Sequence, residues 1–264
     1  MTRDDIHTAL MAVDPADKCR RVDALVLADA GMLANETGES PAIPVPGRPS
    51  RPLLVHPAKL PRRGLGTVEG RAALVHAIAH IEFNAINLGL DATWRFTGMP
   101  PDFYRDWLRV AADETRHFRL LSERLGELGF AYGDFDAHDG LWEAAVKTAH
   151  DVLVRMALVP RVLEARGLDV TPGMIKRLTG AGDRETVAIL EIILKEEVPH
   201  VAIGTRWFRY CCEQRGEDPD TLFPHLLESY MNGGPPGPYN FPDRRRAGFA
   251  ESELEYLQKR NPSA

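Results

Sequence analysis

The sequence predicts an all-α protein: an antiparallel four-helix bundle with a long crossover, preceded by an N-terminal helix and strap and followed by a C-terminal extension. Three observations carry that expectation. Four long stretches place apolar residues at spacings of three and four, the period of one helix face. Gly- and Pro-rich breaks separate those stretches. Each stretch also carries a Glu on its apolar stripe, and two of these Glu are followed three residues later by His. Carboxylates and imidazoles projected inward from four helices are the ligand set of a di-iron or di-manganese site in a bundle.

Residues 1–37 mix apolar and charged positions in a helical pattern, as at Ala24, Leu25, Leu27 and Ala28. Residues 38–66 hold seven prolines, among them Pro41, Pro52 and Pro61. Proline locks φ and removes a donor, so an extended strap along the bundle surface is expected there. The first bundle helix is expected from Thr67 to Phe96, stopped by Gly98-Met99-Pro100-Pro101, and the second from Asp102 to Leu128, ending at Gly129. The third is expected from Leu141 to Arg166 with Gly167 as its cap, and the fourth from Arg184 to Arg215, stopping at Gly216. A helix of about 28 residues is about 42 Å long, so the lengths match. The link from Phe130 to Gly140 has 11 residues. At about 3.4 Å per residue it reaches about 37 Å, nearly the bundle length. Thr171-Pro172 suggests a short extra helix over Met174 to Leu178. Gly233 to Pro238 is expected to be irregular, and a last helix is expected near Glu251 to Lys259. The domain organisation expected is 1–66 for helix and strap, 67–216 for the bundle and 217–264 for the extension.

Composition bounds the function classes. The chain has 264 residues, 44% hydrophobic and 27% charged, which is enough for one bundle with extensions. A net charge of −6 argues against broad nucleic-acid binding. Two arginine clusters, Arg62/Arg63/Arg71 and Arg244/Arg245/Arg246, read as solvated surface. Cys19, Cys211 and Cys212 have no framework spacing and read as buried or half-buried thiols in a reducing compartment. Met1 to Val22 has no apolar signal core, and no run of 18 apolar residues occurs. No membrane span is expected, and the cytoplasm is the expected location.

Asp113-Glu114-Thr115-Arg116-His117 and Glu196-Glu197-Val198-Pro199-His200 each read acid-Glu-x-x-His. Residues i and i+3 share a helix face, so each motif offers a carboxylate beside an imidazole. Glu82 precedes Glu114 by 32 residues, and Glu164 precedes Glu197 by 33. The stripes are Val75, Ile78, Glu82, Ile86 and Gly89; Trp107, Val110, Glu114, His117, Leu121 and Leu125; Met156, Pro160, Glu164 and Leu168; and Leu190, Ile193, Glu197, His200, Gly204 and Phe208. Burying an unpaired carboxylate is costly, and two cations would offset that cost. Oxygen and imidazole donors without thiolates suit iron or manganese better than structural zinc. Glu82, Glu114, His117, Glu164, Glu197 and His200 are therefore the candidate metal and catalytic residues. They are expected to hold two iron ions, with manganese or a mixed pair as the alternative. Glu82 and Glu164 are expected as terminal ligands and Glu114 and Glu197 as bridging ones, an assignment that could be exchanged.

Other residues are read around this set. Asp113 and Glu196 each precede a ligand His by four residues. They are expected to hold His200 and His117 across the bundle, with ordinary surface acids as the alternative. Pro160 and Pro199 sit inside helices close to ligands and either open space there or are tolerated kinks. His76 and His80 share a face other than that of Glu82 and are expected at the surface or behind the ligands. His138, His150 and His225 lack a partner at ligand spacing. Tyr104 and Trp107 are expected in the core, with redox-active aromatics as the alternative.

On these motifs the chain resembles the ferritin-like superfamily. Having His in both halves is closer to the oxygen-activating di-iron enzymes and bacterioferritin than to the plain ferritin storage centre. More narrowly, His80-Ile81-Glu82-Phe83-Asn84, the Asp113 motif and Glu197-Val198-Pro199-His200 resemble the bacterial family catalogued as domain of unknown function 455, over most of the chain. The di-iron tRNA hydroxylases are a looser likeness, and no large basic stripe is present here. The resemblance implies a ferritin-like bundle and names no substrate. The expected function is a non-haem di-iron oxidoreductase activating O2 or peroxide, with an unknown small-molecule substrate and an electron donor. The alternative is an iron-binding, ferroxidase or peroxide-detoxifying ferritin-like protein. Neither a membrane nor a nucleic acid is expected as partner, and a homodimer is the candidate assembly.

Overall fold

The computed structural model describes residues 1–28, 33, 37–38, 40–61 and 63–260. Arg62, and residues 29–32 and 34–36 of the expected N-terminal helix, lie outside the described residues. Among the described residues, regular structure is helical, apart from one isolated bridge between Leu54 and Ala137. The chain forms two compact units: Met1–Val146 with Asp183–Ile189, and Lys147–Gly182 with Leu190–Ala264.

The first unit opens with α1 (Arg3–Leu10) and α2 (Pro15–Val26). The N-terminal helical pattern is thus broken in two. Thr2 and Asp5 close a capping box on α1. The Asp14 side chain accepts from the Asp17 amide, and Pro15 follows at the first helical position, so a new helix must begin there. Lys18 is fully buried and its Nζ donates to the carbonyls of Ala9 (3.2 Å) and Leu10 (2.6 Å), closing the end of α1. Burial pulls its ammonium down to about 7.

Among its described residues the proline-rich strap holds no long helix, as expected, and one 3-10 turn at Pro57–Lys59. The strap pairs with the link after the second long helix through Val55 N to Ala137 O (2.8 Å) and Ala137 N to Leu53 O (3.0 Å). Trp142 Nε1 donates to Pro44 O, and Arg48 pairs with Asp139.

Helices α3 (Val68–Arg95) and α4 (Pro101–Glu127) form the expected hairpin. Thr67 caps α3 by accepting from the Gly70 amide. Gly129, at φ 84°, and a Phe130 N to Leu125 O bond close α4. Tyr104 donates to Phe96 O and accepts from the Met99 amide, so it staples the turn. A Cβ on Gly89 would lie 2.9 Å from Trp107 O and 3.0 Å from Ala111 Cβ; only glycine permits this approach of α3 to α4. By length and composition α3 is the one described helix that could cross a membrane, and 78% of its apolar window is buried inside the protein. Burial against protein accounts for its apolar length.

His76 and His80 correct the surface expectation. Both are buried on α3. His76 Nε2 accepts from the Gly133 amide (2.9 Å), and His80 bonds to Tyr132 Oη (2.8 Å) and His138 O (3.2 Å). They anchor the 130–139 link. Burial pulls each imidazole down to about 4, so both are neutral.

The third of the expected long helices does not form as one element. In place of one helix ending at Gly167 there are α5 (Gly140–Lys147), α6 (Val152–Leu158), a π-helical turn (Val159–Glu164) and α7 (Ala165–Gly180). Asp151 restarts the helix by accepting from the Leu153 amide (2.8 Å). Gly167 lies within α7 and caps nothing. The separate helix expected after Thr171 is part of α7, with Pro172 inside it. Proline leaves the carbonyl four residues back without its helical donor. Here that carbonyl, Leu168 O, accepts from Asn240 Nδ2 at 3.1 Å, so the helix continues.

Helix α8 (Arg184–Arg215) matches its expected bounds. Asp183 accepts from the Thr186 amide (3.1 Å), and Gly216, at φ 67°, ends the helix. Beyond it lie α9 (Pro219–Met231) and α10 (Phe241–Arg246), which periodicity did not reveal, and the expected α11 (Glu251–Arg260). Arg244 corrects the solvated-cluster reading. It is 2% exposed and forks onto Asp169 at 3.0 and 2.7 Å. Arg245 pairs with Glu251, Arg246 with Asp243 and Arg71 with Asp183, and Arg63 lies over Phe135. These cations are engaged within the protein. The three cysteines are free and buried, as expected.

Candidate metal centre

All six candidate ligands are buried. Glu114 and His117 are 0% exposed, and Glu164, at 9%, is the most exposed of the set. Glu82 sits on α3, Glu114 and His117 one turn apart on α4, Glu164 at the end of the π-helical turn, and Glu197 and His200 one turn apart on α8. Their stripe neighbours Val75, Ile86, Val110, Leu121, Met156, Leu168, Leu190 and Phe208 are buried with them. The apolar period therefore carries the acids inward, as the spacing requires.

In the first unit His117 Nδ1 lies 3.2 Å from Glu114 Oε2 and 3.4 Å from Glu82 Oε2. Burial pushes the Glu82 carboxyl well above the usual carboxylate range, and the nearby Glu114 charge pushes it further. For His117, burial alone would lower the imidazolium. The hydrogen bond to Glu114 and the close Glu114 and Glu82 carboxylates override burial and push it up to about 11. The protein groups by themselves therefore hold protons against their mutual repulsion, and a cation would do the same work. In the second unit Glu197 Oε2 and His200 Nδ1 are 3.8 Å apart, which is not a hydrogen bond.

One donor atom from each of Glu82, Glu114, His117 and Glu197 lies within 4.8 Å of the others. Donors bound at about 2.1 Å to one ion stand about 3–4 Å apart. This buried Glu/Glu/His/Glu cluster is thus of a size that could bind a metal. Its donor set, three carboxylates and an imidazole without sulfur, suits iron or manganese. Glu82 Oε2 is buried and makes no hydrogen bond, an atom that a cation would satisfy. Glu164 and His200 lie outside this group of four.

A profile described as "Protein of unknown function (DUF455)" matches residues 11–255, a span that holds every candidate ligand. The chain belongs to the DUF455 family. An uncharacterized protein from Haemophilus influenzae (strain ATCC 51907 / DSM 11121 / KW20 / Rd) is 46% identical over 264 residues, covering 96% of this chain and 92% of that protein. No solved structure matches this DUF455 chain.

Sequence reasoning missed one layer of this DUF455 site. Phe83 and Phe118, the residues after Glu82 and His117, pack with Tyr132 at ring separations of 5.7 and 5.0 Å. Tyr132 in turn bonds His80. A cleft of about 530 Å³ is walled by Cys19, Phe118, Ser122 and Tyr132. Tyr132 lies in a link without periodicity, so no pattern pointed to it. The His76/His80 spacing was the available signal.

Proposed function

We propose that this DUF455 protein is a ferritin-like dinuclear metal enzyme. Glu82, Glu114, His117, Glu164, Glu197 and His200 together hold two iron ions, and the protein acts as a non-haem di-iron oxidoreductase. The single observation that supports it is the buried convergence of Glu82, Glu114, His117 and Glu197 within 4.8 Å. Without cations, three buried carboxylates around one imidazole must hold protons on Glu82 and His117, and cations would take over that charge balance. When bound, a reduced iron pair supplies electrons to O2 or peroxide. The chain's own groups do the rest. Glu82 and His117 release protons as cations enter. Val75, Ile86, Val110 and Leu121 keep bulk water from the site. The cleft beside Phe118 and Tyr132 would be the approach for a small-molecule substrate, and such chemistry would require an external electron donor.

The test is metal analysis of protein purified without chelator, followed by anaerobic titration with Fe(II) and exposure to air. About two irons per chain are expected, with a near-ultraviolet ferric absorption appearing on oxidation. Glu114→Ala and Glu197→Ala are expected to abolish binding. A chain that takes up no iron, or variants that bind as the parent does, would overturn the reading. Particle mass separates the ferroxidase alternative: a large closed shell favours storage, and a monomer or dimer favours the enzyme.

A further inference from the structure

Arg161 lies inside the π-helical turn, three residues before Glu164, and is 0% exposed. Its Nη2 donates to Glu253 Oε1 at 2.6 Å, and its Nε to Thr205 Oγ1 at 3.3 Å. Its guanidinium lies over the rings of Phe223 (4.1 Å), Phe249 (4.5 Å) and Phe208 (4.7 Å). Glu253 is itself 1% exposed and sits on α11, where its other oxygen accepts from the Ala250 amide at 2.8 Å. One carboxylate therefore starts α11 and ties it to the π turn.

A buried ion pair is not the cheapest way to fill this space. Well-packed apolar side chains of similar volume often do as well or better for stability. A forked guanidinium adds direction: two donors and three ring faces leave Arg161 one orientation. The backbone that carries it needs such a restraint. Pro160 lacks the N–H that an α-helix would use at that position, and the wide turn holds an additional residue, so everything after it is rotated relative to α6. Opposite, a Cβ on Gly204 would stand 2.4 Å from Pro160 Cγ, so α8 presses on the same turn.

We infer that Glu253 on α11, acting through Arg161, holds the π-helical turn in the register that aims Glu164, so that the C-terminal extension is a positioning element of the metal centre. This rests on the di-metal reading above. Glu253 and Arg161 are positioning residues and touch no metal.

The experiment compares the full-length parent, Glu253→Gln, Arg161→Met and Leu254→Ala. Leu254 is buried on the same helix at 2% exposure, so its truncation loosens α11 while both Glu253 and Arg161 remain present. Amide exchange is read over residues 159–165 in metal-free protein, and anaerobic Fe(II) binding is read by calorimetry. Glu253→Gln and Arg161→Met are expected to speed exchange in the turn by about tenfold beyond Leu254→Ala. They should weaken one of two iron equivalents by about tenfold or more while leaving the other unchanged. Equal exchange in Glu253→Gln and Leu254→Ala overturns the inference, as does fast exchange with both iron equivalents intact. A parent chain that binds no iron would sink the metal reading, and the exchange comparison would still decide whether Glu253 holds the turn.

Discussion

Gly204→Ala adds one methyl group to α8 where helix propensity and packing disagree about the outcome. In a helix interior, Ala is favoured over Gly by about 1 kcal/mol. The added Cβ would stand 2.4 Å from Pro160 Cγ and 2.5 Å from its Cβ. Relaxed carbon contacts are about 3.5–4.0 Å, so the turn or α8 must shift by about 1 Å or more. A proline ring cannot swing aside, so the cost falls in the upper part of the overpacking range, about 2–3 kcal/mol. The net expectation is a loss of about 1–2 kcal/mol, or a fall of about 2–8 °C in Tm for a chain of this size. Gly167→Ala is the matched control. It lies in α7 with nothing within 4 Å of its added Cβ, so only the propensity gain applies. Its Tm should rise by about 2–4 °C. Scanning calorimetry on the two variants reads both signs. A Tm for Gly204→Ala that rises as far as that of Gly167→Ala would refute the packing argument and with it the close seating of Pro160 on α8.

Glu82→Gln should make the metal-free protein more stable at pH 8 while lowering its iron affinity. The folded carboxyl is raised, so the parent loses stability as pH rises above the ordinary carboxylate value, and the neutral amide escapes that loss. A metal-free variant that melts below the parent at pH 8 would contradict this. His76 and His80 have folded values near 4 against 6.5 unfolded. The unfolded chain therefore binds more protons between pH 6.5 and 4, and stability falls as pH falls through that window, by up to about 1.4 kcal/mol per pH unit for each imidazole. Urea midpoints across the window, compared with His76→Gln, should show the flatter slope in the variant. Asn240→Ala removes both the α10 cap and the donor to Leu168 O. A loss of about 1–2 kcal/mol is expected, and a Pro172→Ala background, which restores the backbone N–H, should reduce it. An unchanged loss in that background would mean that the Leu168 carbonyl is not what Asn240 serves.

The local pattern of this chain determined which residues face inward. A helix repeats every 3.6 residues whatever surrounds it, so the stripes through Glu82, Glu114, His117, Glu164, Glu197 and His200 could be read without coordinates, and all six are buried. Thr67, Gly129 and Gly216 marked helix ends for an equally local reason, since they serve backbone groups within one turn. Partners distant in sequence decided the rest. Asp151, which starts α6, is held by Arg215, 64 positions away, through two 2.7 Å bonds. Pro172 stays helical because Asn240, 68 positions away, supplies the missing donor. His76 and His80 read as surface or supporting residues, Arg244 reads as solvated surface, and no pattern singles out Arg161. Each is buried because one acceptor, ring or carboxylate from another part of the chain meets it, and periodicity carries no record of such meetings. Burial of an acid is written in spacing, whereas its aim depends on what the tertiary fold sets behind it.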